Sequence, residues 1–138
     1  MGTSVDPGVC DGIFINAGVT HPQPKWLDSL RVGGSLVLPL TVAMGMGMGE
    51  NLGKGVVTKI TREPNGFSAR VTSFVAIYSC VSMRDPQIEQ ALGKAMASGK
   101  LFRLRSLRRD AHEPADNCVL HGRDFCLTSA ELGARVAA

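Results

Sequence analysis

No apolar run in the chain approaches the ~20 residues that a bilayer-spanning helix needs, so no transmembrane span is expected. Aromatic residues make up only 5%, which leaves few platforms on which nucleic-acid bases could stack. The formal net charge is +3, too small to call for a nucleic-acid partner. Met1-Gly2-Thr3-Ser4-Val5-Asp6-Pro7 lacks both a basic start and an apolar core, so no signal peptide is expected and a cytoplasmic location is the default. There is no Cys-x-x-Cys pair, the usual mark of a structural zinc site. The glycine-rich stretch at 43–53 has neither G-x-G-x-x-G spacing nor a Lys-Ser/Thr ending, and so is not a standard phosphate cradle. No Ser or Cys sits in a nucleophile elbow, which speaks against a hydrolase built on His21, His112 or His121.

What the chain does have is globular. With 138 residues, 44% apolar and 20% charged, it can bury a single core. Its four cysteines (Cys10, Cys80, Cys118 and Cys126) are expected to be reduced and mostly buried. Cys118, His121 and Cys126 lie close in sequence, with His112 upstream. Alternation of Cys118 with Leu120 and of Phe125 with Leu127 accounts for them as strand residues, so no metal site is expected. Lys100, Arg103, Arg105, Arg108 and Arg109 alternate with Leu101, Leu104 and Leu107, as on the solvated face of a strand.

Two short apolar runs, 12–17 and 35–40, read as buried strands. Between them lie a loop with Pro22 and Pro24, a short helix over 25–30 and a turn at Gly33-Gly34. That connection predicts parallel neighbours with a right-handed crossover. Ligands in such sheets sit beyond the carboxyl ends of the strands, here residues 16–20 and 39–41. The Met-Gly stretch after Thr41 is a candidate substrate-facing loop. Strands over 54–62 and 67–80 flank Glu63-Pro64-Asn65-Gly66, a hairpin signal. Asp85 caps a predicted helix that opens at Pro86 and stops at Gly99. A strand over 101–107, a hairpin over 117–128 turning near Gly122, and a final helix capped by Thr128 or Ser129 complete the expectation.

In this order, Asn16-Ala17-Gly18, Trp26-Leu27-x-x-Leu30, Gly33-Gly34-x-Leu36-Val37-x-Pro39-Leu40 and Phe74-Val75-x-Ile77 resemble the C-terminal half of protein-L-isoaspartate O-methyltransferases. The resemblance runs from about Val9 to Val81. It implies an α/β fold: an incomplete Rossmann-like methyltransferase sheet, a parallel strand pair extended by an antiparallel hairpin, with a C-terminal α+β extension. The implied units are 1–84, the methyltransferase-like half, and 85–138, a helix and strand hairpin packed on the same sheet.

The resemblance also implies S-adenosylmethionine as methyl donor and a protein carboxylate as acceptor. Asn16, Ala17, Gly18, Val19 and Thr20 would position the reacting groups, with Asn16, Ala17 and Gly18 facing the donor. Pro39, Leu40, Thr41, Phe74, Val75 and Ile77 would bind a peptide substrate. The family's glycine-rich cofactor loop and ribose-binding acid have no counterpart in this chain, so activity and donor binding by the chain alone are not expected. The first strand would then present an open apolar edge, to be covered by a second copy, by the N-terminal half or by the C-terminal segment. The other reading is a non-catalytic module that oligomerises through that edge.

Overall fold

Long stretches of alternating or continuous apolar residues, several of them joined by short turns, make the described part of this chain mostly sheet. The computed structural model describes residues 10–43, 52–78, 85–110, 113, 116–122 and 124–131. Among these residues seven strands are formed: β1 (Cys10–Phe14), β2 (Leu30–Ala43), β3 (Leu52–Glu63), β4 (Gly66–Tyr78), β5 (Ser106–Arg108), β6 (Cys118–His121) and β7 (Cys126–Thr128). They join in one sheet of order β1-β2-β3-β4-β5-β7-β6. Two α-helices accompany it, α1 (Pro24–Asp28) and α2 (Pro86–Ala97), with a 3-10 turn at Lys100–Arg103.

This corrects the expected α/β class. The molecule is a β-rich mixed sheet, not a Rossmann-like one. A doubly wound sheet needs a helical crossover between successive strands, and among the described strands only β1 and β2 pair in parallel. The helix between them spans five residues. The other strand pairs among the described residues are antiparallel. The hairpin of β3 and β4 turns through Pro64-Asn65, with Glu63 opposite Gly66.

Two local expectations also change. Gly33-Gly34 does not turn the chain but lies within β2, where Gly33 takes φ +90°, a conformation open to glycine at little cost. Residues 101–107 are not one strand. Leu101, Leu104 and Leu107 are all buried, and their spacing of three residues matches the 3-10 period, so the chain coils before entering β5. The hairpin of β6 and β7 forms as expected. The Met-Gly stretch, Cys80, His112 and the expected final helix lie outside the described residues.

α1 begins on Pro24, whose ring presets the first helical φ, and it buries Trp26 and Leu27 on the sheet. α2 begins on Pro86 behind Asp85, whose carboxylate Oδ1 accepts from the backbone N–H groups of Gln87 (2.9 Å) and Ile88 (3.2 Å). The helix packs against both β2 and β6 and buries Leu92 and Ala95. The sheet therefore coils around one core, in which Leu36, Leu38, Leu40, Ile60, Leu120 and Leu127 are fully enclosed. Coiling brings opposite regions together: Arg109 Nη1, just past β5, meets Asp28 Oδ1 of α1 at 2.6 Å.

Candidate functional site

After β1 the chain runs alongside the end of β2 and then crosses to α2. Ile15 N–H donates to the Val37 carbonyl at 2.9 Å and Val19 N–H to that of Pro39 at 3.0 Å. Thr41 N–H returns a bond to Val19 O at 2.9 Å, completing a parallel bridge of Val19 with Leu40. Gly18 N–H donates to the carbonyl of Tyr78, the last residue of β4, at 2.8 Å. A Cβ on Gly18 would lie 2.3 Å from Thr41 Oγ1, so only glycine lets the two segments approach this closely. Thr20 is fully buried, and its Oγ1 accepts from Asp85 N–H at 3.0 Å. The loop is thus tied to β2, β4 and the start of α2 at once.

The rim collects most of the residues singled out from sequence. Gly18 and Val19 sit directly against Pro39, Leu40 and Thr41, with Asn16, Ala17 and Thr20 flanking them in the chain, and Ile77 precedes Tyr78, which accepts from Gly18. Phe74 and Val75 lie farther back along β4. Phe74 is 75% exposed and meets Phe102 edge-on, ring centroids 5.6 Å apart. They do not join the rim.

Beyond Thr20 a cleft of about 520 Å³ opens. Its walls include His21, Gln23, Asp85, His121, Asp124 and Phe125. The His21 ring stacks on Phe125, with centroids 6.0 Å apart and planes 10° from parallel. Gln23 Nε2 donates to His21 Nε2 at 3.1 Å, which leaves the proton on Nδ1 to donate to Thr20 Oγ1 at 2.7 Å. Burial holds the His21 pKa below its ordinary value, against the opposing pull of Asp85 and Asp124.

His121 belongs to a second cluster that alternation alone did not predict. Cys118 Sγ, Cys126 Sγ and a ring nitrogen of His121 lie within 4.8 Å of one another. Cys126 Sγ donates to Cys118 Sγ at 3.1 Å, and Cys118 Sγ is 3.9 Å from His121 Nδ1. In a regular strand, residues three apart face opposite sides. Here Cys118 pairs with Thr128 and Leu120 with Leu127, so one extra residue bulges out of β6. The bulge turns His121 onto the face of Cys118, directly across from Cys126. Burial, reinforced by the neighbouring Cys118, pushes the Cys126 thiol up to about 12. The signal available in sequence was the Cys-x2-His-x4-Cys spacing, which becomes meaningful only with the bulge.

The residues at the rim do not by themselves fit an S-adenosylmethionine molecule. The space beside Gly18 is filled by Thr41, its N–H is spent on Tyr78, and Thr20 is consumed in tying the loop to α2. No acidic side chain stands among residues 16–20 to hold ribose hydroxyls. Among the described residues, no helix is long and apolar enough to cross a membrane. No protein-family model matches the chain, and no curated protein matches it either.

Proposed function

We propose that this chain supplies the acceptor side of a protein carboxyl methyltransferase resembling the isoaspartate enzymes, with the donor site completed by another polypeptide segment. The observation that carries the reading is local. Gly18 of the resembling motif is bonded to the end of β4 and Val19, which follows it, to the end of β2, so that Gly18, Val19, Pro39 and Thr41 form one continuous wall. The overall architecture carries none of it.

Methyl transfer to a carboxylate depends on alignment far more than on acid–base assistance. A wall of backbone and small side chains, without a paired acid and base, suits that task. The completing segment would add to β1, which stands at the sheet edge with Phe14 71% exposed at its end, while Val32 of β2, 62% exposed, lies toward its start. Apolar edges of this kind are normally covered.

Calorimetry of the chain with S-adenosylhomocysteine is expected to show no binding in the micromolar range. An isoaspartyl peptide is expected to perturb the backbone amide resonances of residues 16–20, Thr41 and Tyr78, and its amidated counterpart to leave them unmoved. Micromolar binding of S-adenosylhomocysteine would remove the need for a second segment. Identical responses to the two peptides would remove the acceptor role.

A second reading, a non-catalytic module that dimerises through the same edge, is favoured by the exposed Phe14 and Val32. Light scattering across a concentration series separates the two. A dimer that Phe14→Lys dissolves, combined with no response to either peptide, would select the module.

A further inference from the structure

The geometry points to a binding site for a soft divalent cation, zinc foremost, formed by Cys118, His121 and Cys126. Three observations carry it. Two sulfurs and an imidazole nitrogen, each a strong ligand for such a metal, converge within 4.8 Å. Tetrahedral zinc with bonds of about 2.3 Å to sulfur and about 2.0 Å to nitrogen needs sulfurs about 3.8 Å apart and a sulfur–nitrogen separation of about 3.5 Å. The observed 3.1 Å and 3.9 Å lie within side-chain adjustments of less than an ångström.

The second observation is the bulge. Packing alone would be served by a regular hairpin, and a disulfide alone would need only the two cysteines. The extra residue in β6 has a further effect, bringing His121 to the sulfurs' side of the sheet. The third is the setting. Cys126 is fully buried and Cys118 nearly so, which limits competition from water and oxidants, while His121 is half-buried and lines the cleft. Three protein ligands leave a fourth coordination place, which solvent from that cleft fills. Two thiolates balance the charge of the cation, and Arg108 lies close enough to act electrostatically on both sulfurs.

The test uses the full chain, reduced with a reductant that is not itself a thiol, and titrated with cobalt(II) alone. One equivalent is expected to produce a sulfur-to-cobalt charge-transfer band together with the strong visible bands of tetrahedral cobalt, and zinc should displace both. Cys118→Ser and Cys126→Ser should each weaken binding at least about tenfold and remove roughly half of the charge-transfer intensity. His121→Gln should keep that band and shift the visible ones, while Cys10→Ser should change nothing. Circular dichroism of each metal-free variant confirms that it folds. A cobalt spectrum without thiolate charge transfer, or one that survives in the Cys118→Ser/Cys126→Ser double variant, overturns the site. So does a Cys118–Cys126 disulfide whose formation zinc fails to suppress.

Discussion

Single side chains set the sharpest expectations. Thr58 is fully buried in β3 and its hydroxyl has no hydrogen-bond partner among the described residues. An orphaned buried hydroxyl costs more than the methyl group that would replace it. Thr58→Val is therefore expected to raise stability by about 1 kcal/mol in urea denaturation. His21 gives a pH dependence. Its folded pKa is below the ordinary value of 6.5 because burial disfavours the imidazolium. Above that value neither state binds the proton. Below it the unfolded chain binds one that the fold resists, so stability falls as the pH drops from there toward the folded pKa and then levels off for this group. His21→Asn keeps a donor for Thr20 and removes the titration. The stability difference between parent and variant, followed from pH 8 to about pH 4.5, should change in the variant's favour on acidification.

At the scale of elements, α2 and the rim loop depend on each other. Asp85 caps the helix with its carboxylate and gives its backbone N–H to Thr20. Asp85→Ala should cost about 1 kcal/mol, and Asp85→Asn much less, because asparagine caps nearly as well. Gly18→Ala should cost about 1–3 kcal/mol from overlap with the Thr41 side chain. Adding Thr41→Ala should recover part of that loss, so the two changes will not be additive in denaturant midpoints. Elements with local chemistry were legible in the sequence: the Asp85-Pro86 helix start and the Pro64-Asn65 hairpin are written in adjacent residues. Elements set by register were not. The leucines at 101, 104 and 107 lie three apart, a spacing that a 3-10 turn puts on one side and a strand would split between two faces. The bulge in β6 leaves no mark on the pattern that predicted β6, and so the metal-ligating face of His121 was missed. The α/β class failed for a related reason, since one parallel pair was extended into an architecture that the later hairpins do not follow.

For the molecule as a whole, the order of strands predicts an order of stability. β3 is paired on both sides over most of its length and β2 on both sides around residues 35–37, and the two carry the core residues Leu36, Leu38, Leu40 and Ile60. β1 is an edge strand, and β4 pairs with β5 only at Phe67 and Ser68. Hydrogen exchange should be slowest for the shared amides of β2 and β3 and much faster for the outward amides of β1 and of residues 71–77. The coiling that seats Phe125 on His21 has a further consequence for how the protein is born. A ribosome adds about 5–20 residues each second, so the first loop waits several seconds for the hairpin that will wall its cleft. Until residues 118–128 emerge, the nascent chain has a rim without a cleft beside it.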